Sequence, residues 1–354
     1  MRICHLTSAH PSYDIRIFVK ECSSLAANGY DTYLVAQGNS REENGVHVIG
    51  VGEKPTGKIA RMSKFAKKAF LKAKELDCDI YHFHDPELLR FAVRLKKAGK
   101  KVIFDSHEDV PGHILFKTWI PAPFRKLAAR LYQSYETYVV KRIDAVVAAT
   151  PHIANKFRNR AKAVATVNNY PKQEDIVFHD TPFLDREPIV CYAGGLGEDR
   201  GELTMKNAMK SVDGTLVIAC KHEKEIDGNV HYIGLLDRQG VNDLYGRAVV
   251  GLCLDYPTEN NLYAQPTKLY EYMAAGIPFV CSDYPAWRKA AEDSQCGIFV
   301  EYSDTAAVAD AVNYLLTHRA EAQEMGRKGH DYVVKNYIWE NEEKALLNLY
   351  SKLS

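Results

Sequence analysis

Short runs of β-branched and apolar residues alternate with longer amphipathic stretches along almost the whole chain. The short runs read as buried strands, and the stretches with apolar positions three and four apart read as helices. In the first half, strands are predicted at 2–6, 32–36, 79–83, 101–105, 144–149 and 163–167. Helices are predicted near 16–28, 59–76, 86–98, 123–142 and 151–158. The second half repeats the scheme, with strands near 188–193, 215–220, 230–233, 249–254, 278–282 and 297–300. Helices fall between them, and others are predicted at 304–317, 319–335 and 339–353. Such alternation argues an α/β fold, with a doubly wound parallel sheet in each half.

Length supports that division, since 354 residues suit two domains better than one. The polar, proline-containing stretch 170–187 falls between the halves. The expected organisation is therefore a first domain over 1–172, a linker over 173–187, a second domain over 188–335 and a terminal helix over 336–354. No apolar run approaches the roughly 18 residues of a membrane span, and the N-terminus lacks a signal-peptide core. Eight cysteines are scattered without a Cys-x-x-Cys pair, so neither zinc nor a disulfide framework is indicated. A cytoplasmic protein with reduced thiols is expected.

Charge adds what the pattern does not show. The overall net charge is +1, but residues 1–172 carry 29 Lys and Arg against 16 Asp and Glu. The remainder of the chain is correspondingly acidic. Residues 54–74 hold eight Lys and Arg and no acid. Ile59, Met62, Ala66, Ala69, Ala73 and Leu76 recur there at helical spacing, with Lys64, Lys67, Lys68 and Lys74 opposite and Leu71 among the lysines. A solvated face explains this pattern as simply as docking on anionic lipid does, at about 1 kcal/mol per basic side chain. With so basic a first half, weak contact with an anionic membrane is expected through residues 54–74, peripheral on the inner face of the cell membrane.

The stretch Gln265 to Pro278 (QPTKLYEYMAAGIP) carries the sharpest chemistry. It reads as a loop, a short helix with Thr267 as cap, and a stop at Gly276 and Pro278. The start of such a helix offers free N–H groups and a positive dipole end to a phosphate. Lys268 and Glu271 share one face, either as an ordinary ion pair or as a cation for phosphates beside a carboxylate for ribose hydroxyls.

This stretch, with Ser282 and Asp283 after it, resembles the donor-site signature of family 4 of the glycosyltransferases. Other pieces match in order: His10 to Phe18 (HPSYDIRIF) with Lys20 and Glu21, Tyr81 to Leu89 (YHFHDPELL), Phe104 to Glu108 (FDSHE), Val167 to Pro171 (VNNYP) and Tyr192 to Gly195 (YAGG). The resemblance runs nearly end to end. It implies the GT-B fold, two Rossmann-like domains facing each other across a cleft, with the last helix crossing back to the first domain. It also implies a retaining, metal-independent transfer of sugar from a nucleotide-diphosphate donor, most often UDP-linked. The acceptor would be a sugar or lipid-linked saccharide in surface polysaccharide synthesis, and no nucleic-acid partner is expected.

Site roles follow residue by residue. The resemblance gives His107 the contact with the donor sugar, just past a strand's carboxyl end where doubly wound folds bind ligands. His107 and Glu271 are thus the catalytic candidates. Gly194, Gly195, Arg200, Thr267, Lys268 and Glu271 would bind the donor, with Arg200 gripping phosphate by its guanidinium fork. Asp14, Arg16 and Glu108 would line the acceptor side, Asp14 and Arg16 either bracing each other or touching the acceptor. His82, His84 and Asp85 raise a metal reading, but two histidines on one strand face lack an evident second ligand pair, and no metal site is assigned. Asp85 and Pro86 also make a good helix start.

Two departures from the family pattern matter. Relatives place an arginine where Gly195 stands, and a first glutamate where Tyr263 stands. A non-catalytic relative that binds a nucleotide or a partner glycosyltransferase is the alternative that these losses support. An epimerase of the same fold would need a carboxylate set that the chain does not display.

Overall fold

Two parallel sheets carry the molecule, each wrapped by helices as the alternation predicts. This computed structural model describes residues 1–117, 120–175 and 177–353. The first sheet has eight strands: β1 (Arg2–Leu6), β2 (Asp31–Ala36), β3 (Arg41–Glu43), β4 (Val46–Gly50), β5 (Ile80–Phe83), β6 (Lys101–Ser106), β7 (Ala145–Ala148) and β8 (Val164–Thr166). Their order is β3-β4-β2-β1-β5-β6-β7-β8, all parallel except the β3–β4 hairpin. That hairpin was not predicted. Its first strand, Arg-Glu-Glu, is an exposed polar edge with no apolar alternation to reveal it.

The second sheet comprises β9 (Ile189–Ala193), β10 (Thr215–Ala219), β11 (Glu225–Asp227), β12 (Val230–Tyr232), β13 (Val250–Cys253), β14 (Phe279–Ser282) and β15 (Gly297–Val300). They run β11-β12-β10-β9-β13-β14-β15, with only the polar edge strand β11 antiparallel. The central strands are buried on both faces, which is why they read as continuous apolar runs. In each sheet the order reverses beside the first strand, β1 or β9. The crevice for a ligand forms at the carboxyl ends of the strands flanking that reversal.

The chain forms two compact units, Met1–Asn169 with Asn341–Ser354, and Tyr170–Glu340. Residues 173–187, expected to be a linker, instead belong to the second unit. Phe183 is buried in its core, and Arg186 donates to the carbonyls of Ala248 (2.7 Å) and His179 (2.9 Å). The helix Trp339–Leu353 ends in the first unit, where Tyr350 is fully buried. All eight cysteines are free and buried. Among the described residues no helix is long and apolar enough to cross a membrane.

The lysine-rich stretch is helical over Lys58–Ala60, Arg61–Phe65 and Ala66–Glu75. Its buried face is Phe65, Ala66, Ala69, Phe70 and Ala73. Ile59 and Met62, expected on that face, stand in solvent, because the core beneath begins only at Phe65.

Candidate functional site

In the first unit, β1, β5 and β6 deliver His5, His82, His84 and Asp105 to one buried corner. Asp105 is its hub. Arg16 grips it with a two-pronged pair, Nε to Oδ2 and Nη2 to Oδ1, each 2.9 Å. Arg16 Nη1 also donates to the Val167 carbonyl at 2.7 Å. His107 Nε2 (2.7 Å) and His84 Nδ1 (3.1 Å) reach Asp105 Oδ2 as well. Burial works against the Asp105 charge, yet Arg16 and then His107 hold the carboxylate well below its ordinary range. Beside it, Glu21 is pushed well above its usual value by burial and by the Asp105 charge, with only the Arg16 Nε, 3.1 Å away, opposing.

One assignment of protons links the three histidines in a chain, leaving His82 Nε2 and the Glu21 oxygens without a hydrogen-bond partner among the described residues. His82 Nδ1 donates to the Tyr350 hydroxyl (2.8 Å), which donates to His5 Nε2 (3.1 Å). His5 Nδ1 donates to His84 Nε2 (2.8 Å), and His84 Nδ1 donates to Asp105. Each imidazole is then neutral, in keeping with burial, which lowers the pKa of all three. The structure thus supplies partners that sequence spacing left out. The groups His5, Glu21, His82 and His84, and His84, Asp105 and His107, have ligand-type atoms within 4.8 Å of one another. In this protonation scheme the ring nitrogens of His5 and His84 are all spent on hydrogen bonds.

Asp14 and Arg16 do not brace each other. Asp14 caps the helical stretch Ile15–Cys22, accepting from the Arg16 and Ile17 backbone N–H at 2.9 and 3.0 Å. It also pairs with His10 (3.1 Å), whose ring lies 5.0 Å from that of His107. Although burial opposes it, these bonds bring the Asp14 carboxyl down to about 2. Arg16 is a buried structural cation rather than an exposed acceptor contact. Glu108 pairs with His113 Nδ1 at 2.9 Å. Asp85 precedes the turn Pro86–Leu88, but its carboxylate does not cap it. It clamps the loop after β1 instead, accepting from Thr7 Oγ1 at 2.9 Å and from the Ser8 backbone N–H at 2.5 Å.

In the second unit, a cationic corner forms at the carboxyl ends of β9 and β13. Gly194, at φ +134°, and Gly195 follow β9, the Gly194 N–H donating to the Ala219 carbonyl at 2.9 Å and the Gly195 carbonyl accepting from the Tyr192 hydroxyl. No atom lies within 4 Å of where a Gly195 Cβ would sit, and at Gly194 a Cβ would meet the Lys268 side chain at 3.0 Å. Lys268 lies over the Tyr192 ring, 4.7 Å from its centroid. Arg200 Nη1 pairs with Asp255, just past β13. Asp255 is 1% exposed, and its Oδ1 has no hydrogen-bond partner among the described residues. Burial raises its pKa against the pull of Arg200 and Lys268. Its carbonyl is fixed by the Ser282 and Tyr284 hydroxyls, at 3.0 and 2.6 Å.

The signature helix spans Thr267–Ala275 and stops at Gly276, φ +74°, as expected. Thr267 is its first residue rather than its cap, which is Pro266, so no side chain occupies the free N–H groups of the first turn. Glu271 does not pair with Lys268. It accepts from Arg238 Nη2 (2.8 Å) and the Tyr245 hydroxyl (3.1 Å). Sequence reading missed Asp255, Arg238 and Tyr245. The position of Asp255 just past a switch-point strand was the available signal, and the other two had none.

The geometry can now be set beside known proteins. Residues 17–169 match the family model described as Glycosyltransferase Family 4, and residues 201–348 match one described as Glycosyl transferase-like. The chain belongs to the glycosyltransferases of family 4. It is 33% identical over 86 residues to a phosphatidyl-myo-inositol mannosyltransferase of Mycobacterium leprae, a match spanning 24% of this chain and 23% of that protein. Among solved structures it is similar to a sucrose-phosphate synthase from Thermosynechococcus elongatus, with TM-score 0.78 at 17% identity over 100% and 99% of the two chains. It is also similar to Anabaena HepE in complex with UDP and glucose, with TM-score 0.73 at 11% identity over 99% of each chain. The glycosyltransferase WaaG, involved in lipopolysaccharide biosynthesis, gives TM-score 0.71 at 12% identity over 99% of each chain. These likenesses define the fold as GT-B.

Proposed function

We propose that this protein is a retaining, metal-independent glycosyltransferase that takes a sugar from a nucleotide-diphosphate donor, UDP-linked, and delivers it to a sugar or lipid-linked saccharide acceptor in surface polysaccharide synthesis. The observation that carries the reading is the cationic corner of the second unit. Two cations, Arg200 and Lys268, the uncrowded Gly195 and an uncapped helix start gather at the reversal of strand order. This is what a diphosphate needs in place of a metal ion. Anabaena HepE was solved with UDP-glucose, which supports the same donor class here.

Diphosphate rests on the Thr267 and Lys268 backbone and on both cations. Glu271, already fixed by Arg238 and Tyr245, meets the ribose. His107 meets the donor sugar, with Asp105 fixing its ring. Rate enhancement comes from stabilising the departing diphosphate and positioning the acceptor hydroxyl. A donor phosphate oxygen takes the acceptor proton, which gives front-face displacement and retention. The enzyme works in the cytoplasm, with weak membrane contact through residues 54–74.

Calorimetry with UDP, GDP, ADP and dTDP, with and without EDTA, tests the donor site. Tight binding of one nucleotide that survives EDTA and is lost in Glu271→Ala supports the reading. Binding without donor hydrolysis or transfer would favour the non-catalytic relative, which the missing glutamate at Tyr263 also favours. NMR of the product anomer tests retention.

A further inference from the structure

The helix Ala122–Val140 turns one face to the core through Ala129, Glu136, Val139 and Val140. Its outward face carries Phe124, Leu127, Leu131, Tyr135 and Tyr138, exposed by 60, 55, 63, 38 and 50%. At about 100° per residue these five fall within roughly 80° of arc, a continuous apolar stripe on the solvent side. Scattered exposed leucines are ordinary, but a five-residue stripe marks a docking surface.

Charge identifies the occupant. Lys126 and Arg130 are exposed on one side of the stripe, roughly 100° and 60° of arc from its edge, and Lys141 and Arg142 follow at the helix end. Arg142 lies over the Tyr138 ring, 3.7 Å from its centroid. The sole acid between residues 122 and 142 is Glu136, which is buried and paired with Arg160 at 3.0 Å. An apolar stripe on a helix that exposes cations and no acid suits an anionic lipid surface and repels a second copy of itself.

The neighbouring lysine-rich helix adds to this face. It is tied through Arg61 to Glu87 (2.6 Å) and through Ser63 to Arg90 (2.8 Å). Those residues stand at the start of Leu89–Lys97, which packs on Ala122–Val140. Its Ile59, Met62 and Leu71 are exposed among lysines.

We propose that the exposed face of Ala122–Val140 is the surface by which this protein lies on anionic lipid, its apolar stripe entering the interface and its lysines and arginines meeting headgroups. The surface goes beyond the transfer reading and does not depend on it. The contact expected at residues 54–74 becomes a flank of this surface.

Cosedimentation of the full chain with phosphatidylglycerol–phosphatidylethanolamine vesicles, against phosphatidylcholine vesicles, is the test. Wild type should bind the anionic vesicles, and less so as salt is added. Leu127→Gln/Leu131→Gln and Lys126→Glu/Arg130→Glu should each bind about tenfold or more weakly. Both should keep the wild-type melting temperature and nucleotide affinity in solution. A wild type that ignores anionic vesicles overturns the proposal, as do stripe variants that bind like wild type. It also falls if Lys67→Glu/Lys72→Glu abolishes binding while the stripe variants retain it. A wild-type dimer that the leucine variant makes monomeric, with neither binding vesicles, assigns the stripe to a second copy and overturns it equally. Loss of nucleotide binding in every protein would strike the transfer reading and leave this one standing.

Discussion

Each unit has an arginine–aspartate pair at the carboxyl end of a strand, Arg16–Asp105 at β6 and Arg200–Asp255 after β13, and the two pairs differ in kind. Arg16 and Asp105 are both buried, joined by two bonds, with nearly every remaining polar atom satisfied by His84, His107 and Val167. Arg200 keeps its side chain 38% exposed, while Asp255 holds it from below with one oxygen unspent. The first pair is closed and serves to build the corner that orients His107. The second is open, and under the proposed reading an incoming phosphate competes with its carboxylate for Arg200. Burial and completeness of hydrogen bonding separate a closed ion pair from an open one, although the residue types are the same.

Removing the carboxylate in each unit breaks the comparison most directly. Asp105→Asn removes the two-pronged partner of the buried Arg16 guanidinium, leaving Glu21, 3.1 Å from Arg16 Nε, as its carboxyl neighbour, and should cost about 3 kcal/mol in urea unfolding. The folded carboxylate sits below its ordinary value, so its stabilisation is complete above about pH 4 and is lost as the pH falls toward the folded pKa. An Asp105→Asn protein as stable as wild type would place this pair with the open one.

Arg200→Ala and Lys268→Ala should each weaken nucleotide-diphosphate binding by roughly ten- to a hundredfold, as charge-assisted bonds to phosphate predict. Calorimetry decides this. Unaltered affinity in both would remove the diphosphate from this corner.

Tyr350→Phe deletes the hydroxyl linking His82 and His5, and should cost about 1–2 kcal/mol of stability with nucleotide affinity unchanged. A change in affinity would couple the closed corner to the donor.

The smallest effect is the most telling. Asp255→Asn should tighten nucleotide-diphosphate binding by a few-fold, because Arg200 no longer has a resident carboxylate to leave. Burial raises the Asp255 pKa, so acid neutralises it in the wild type too. The advantage of the variant should therefore shrink as pH falls. Weaker binding at every pH would make Asp255 a support for Arg200 rather than its competitor.

Much of this protein was legible without coordinates. The central strands, the helices of both units and the stop at Gly276 follow from local chemistry: apolar runs, 3.6-residue periodicity and a left-handed glycine. The ordered motifs likewise carried the family and the GT-B fold. Edge strands β3 and β11 escaped because polar edges have no buried face to imprint on sequence. The segment 170–187 escaped because its few apolar anchors, such as Phe183, sit among polar residues.

Partnership was decided only in three dimensions. Nothing in sequence separation joins Arg16 to Asp105, Tyr350 to His5, Glu271 to Arg238 or Arg200 to Asp255, since each pair is assembled by strand order and helix packing. The lysine run announced itself through charge, while the exposed stripe of Ala122–Val140 reads locally as an ordinary amphipathic helix. Periodicity shows that a helix has an apolar face, and only the packing of its neighbours decides whether that face is covered.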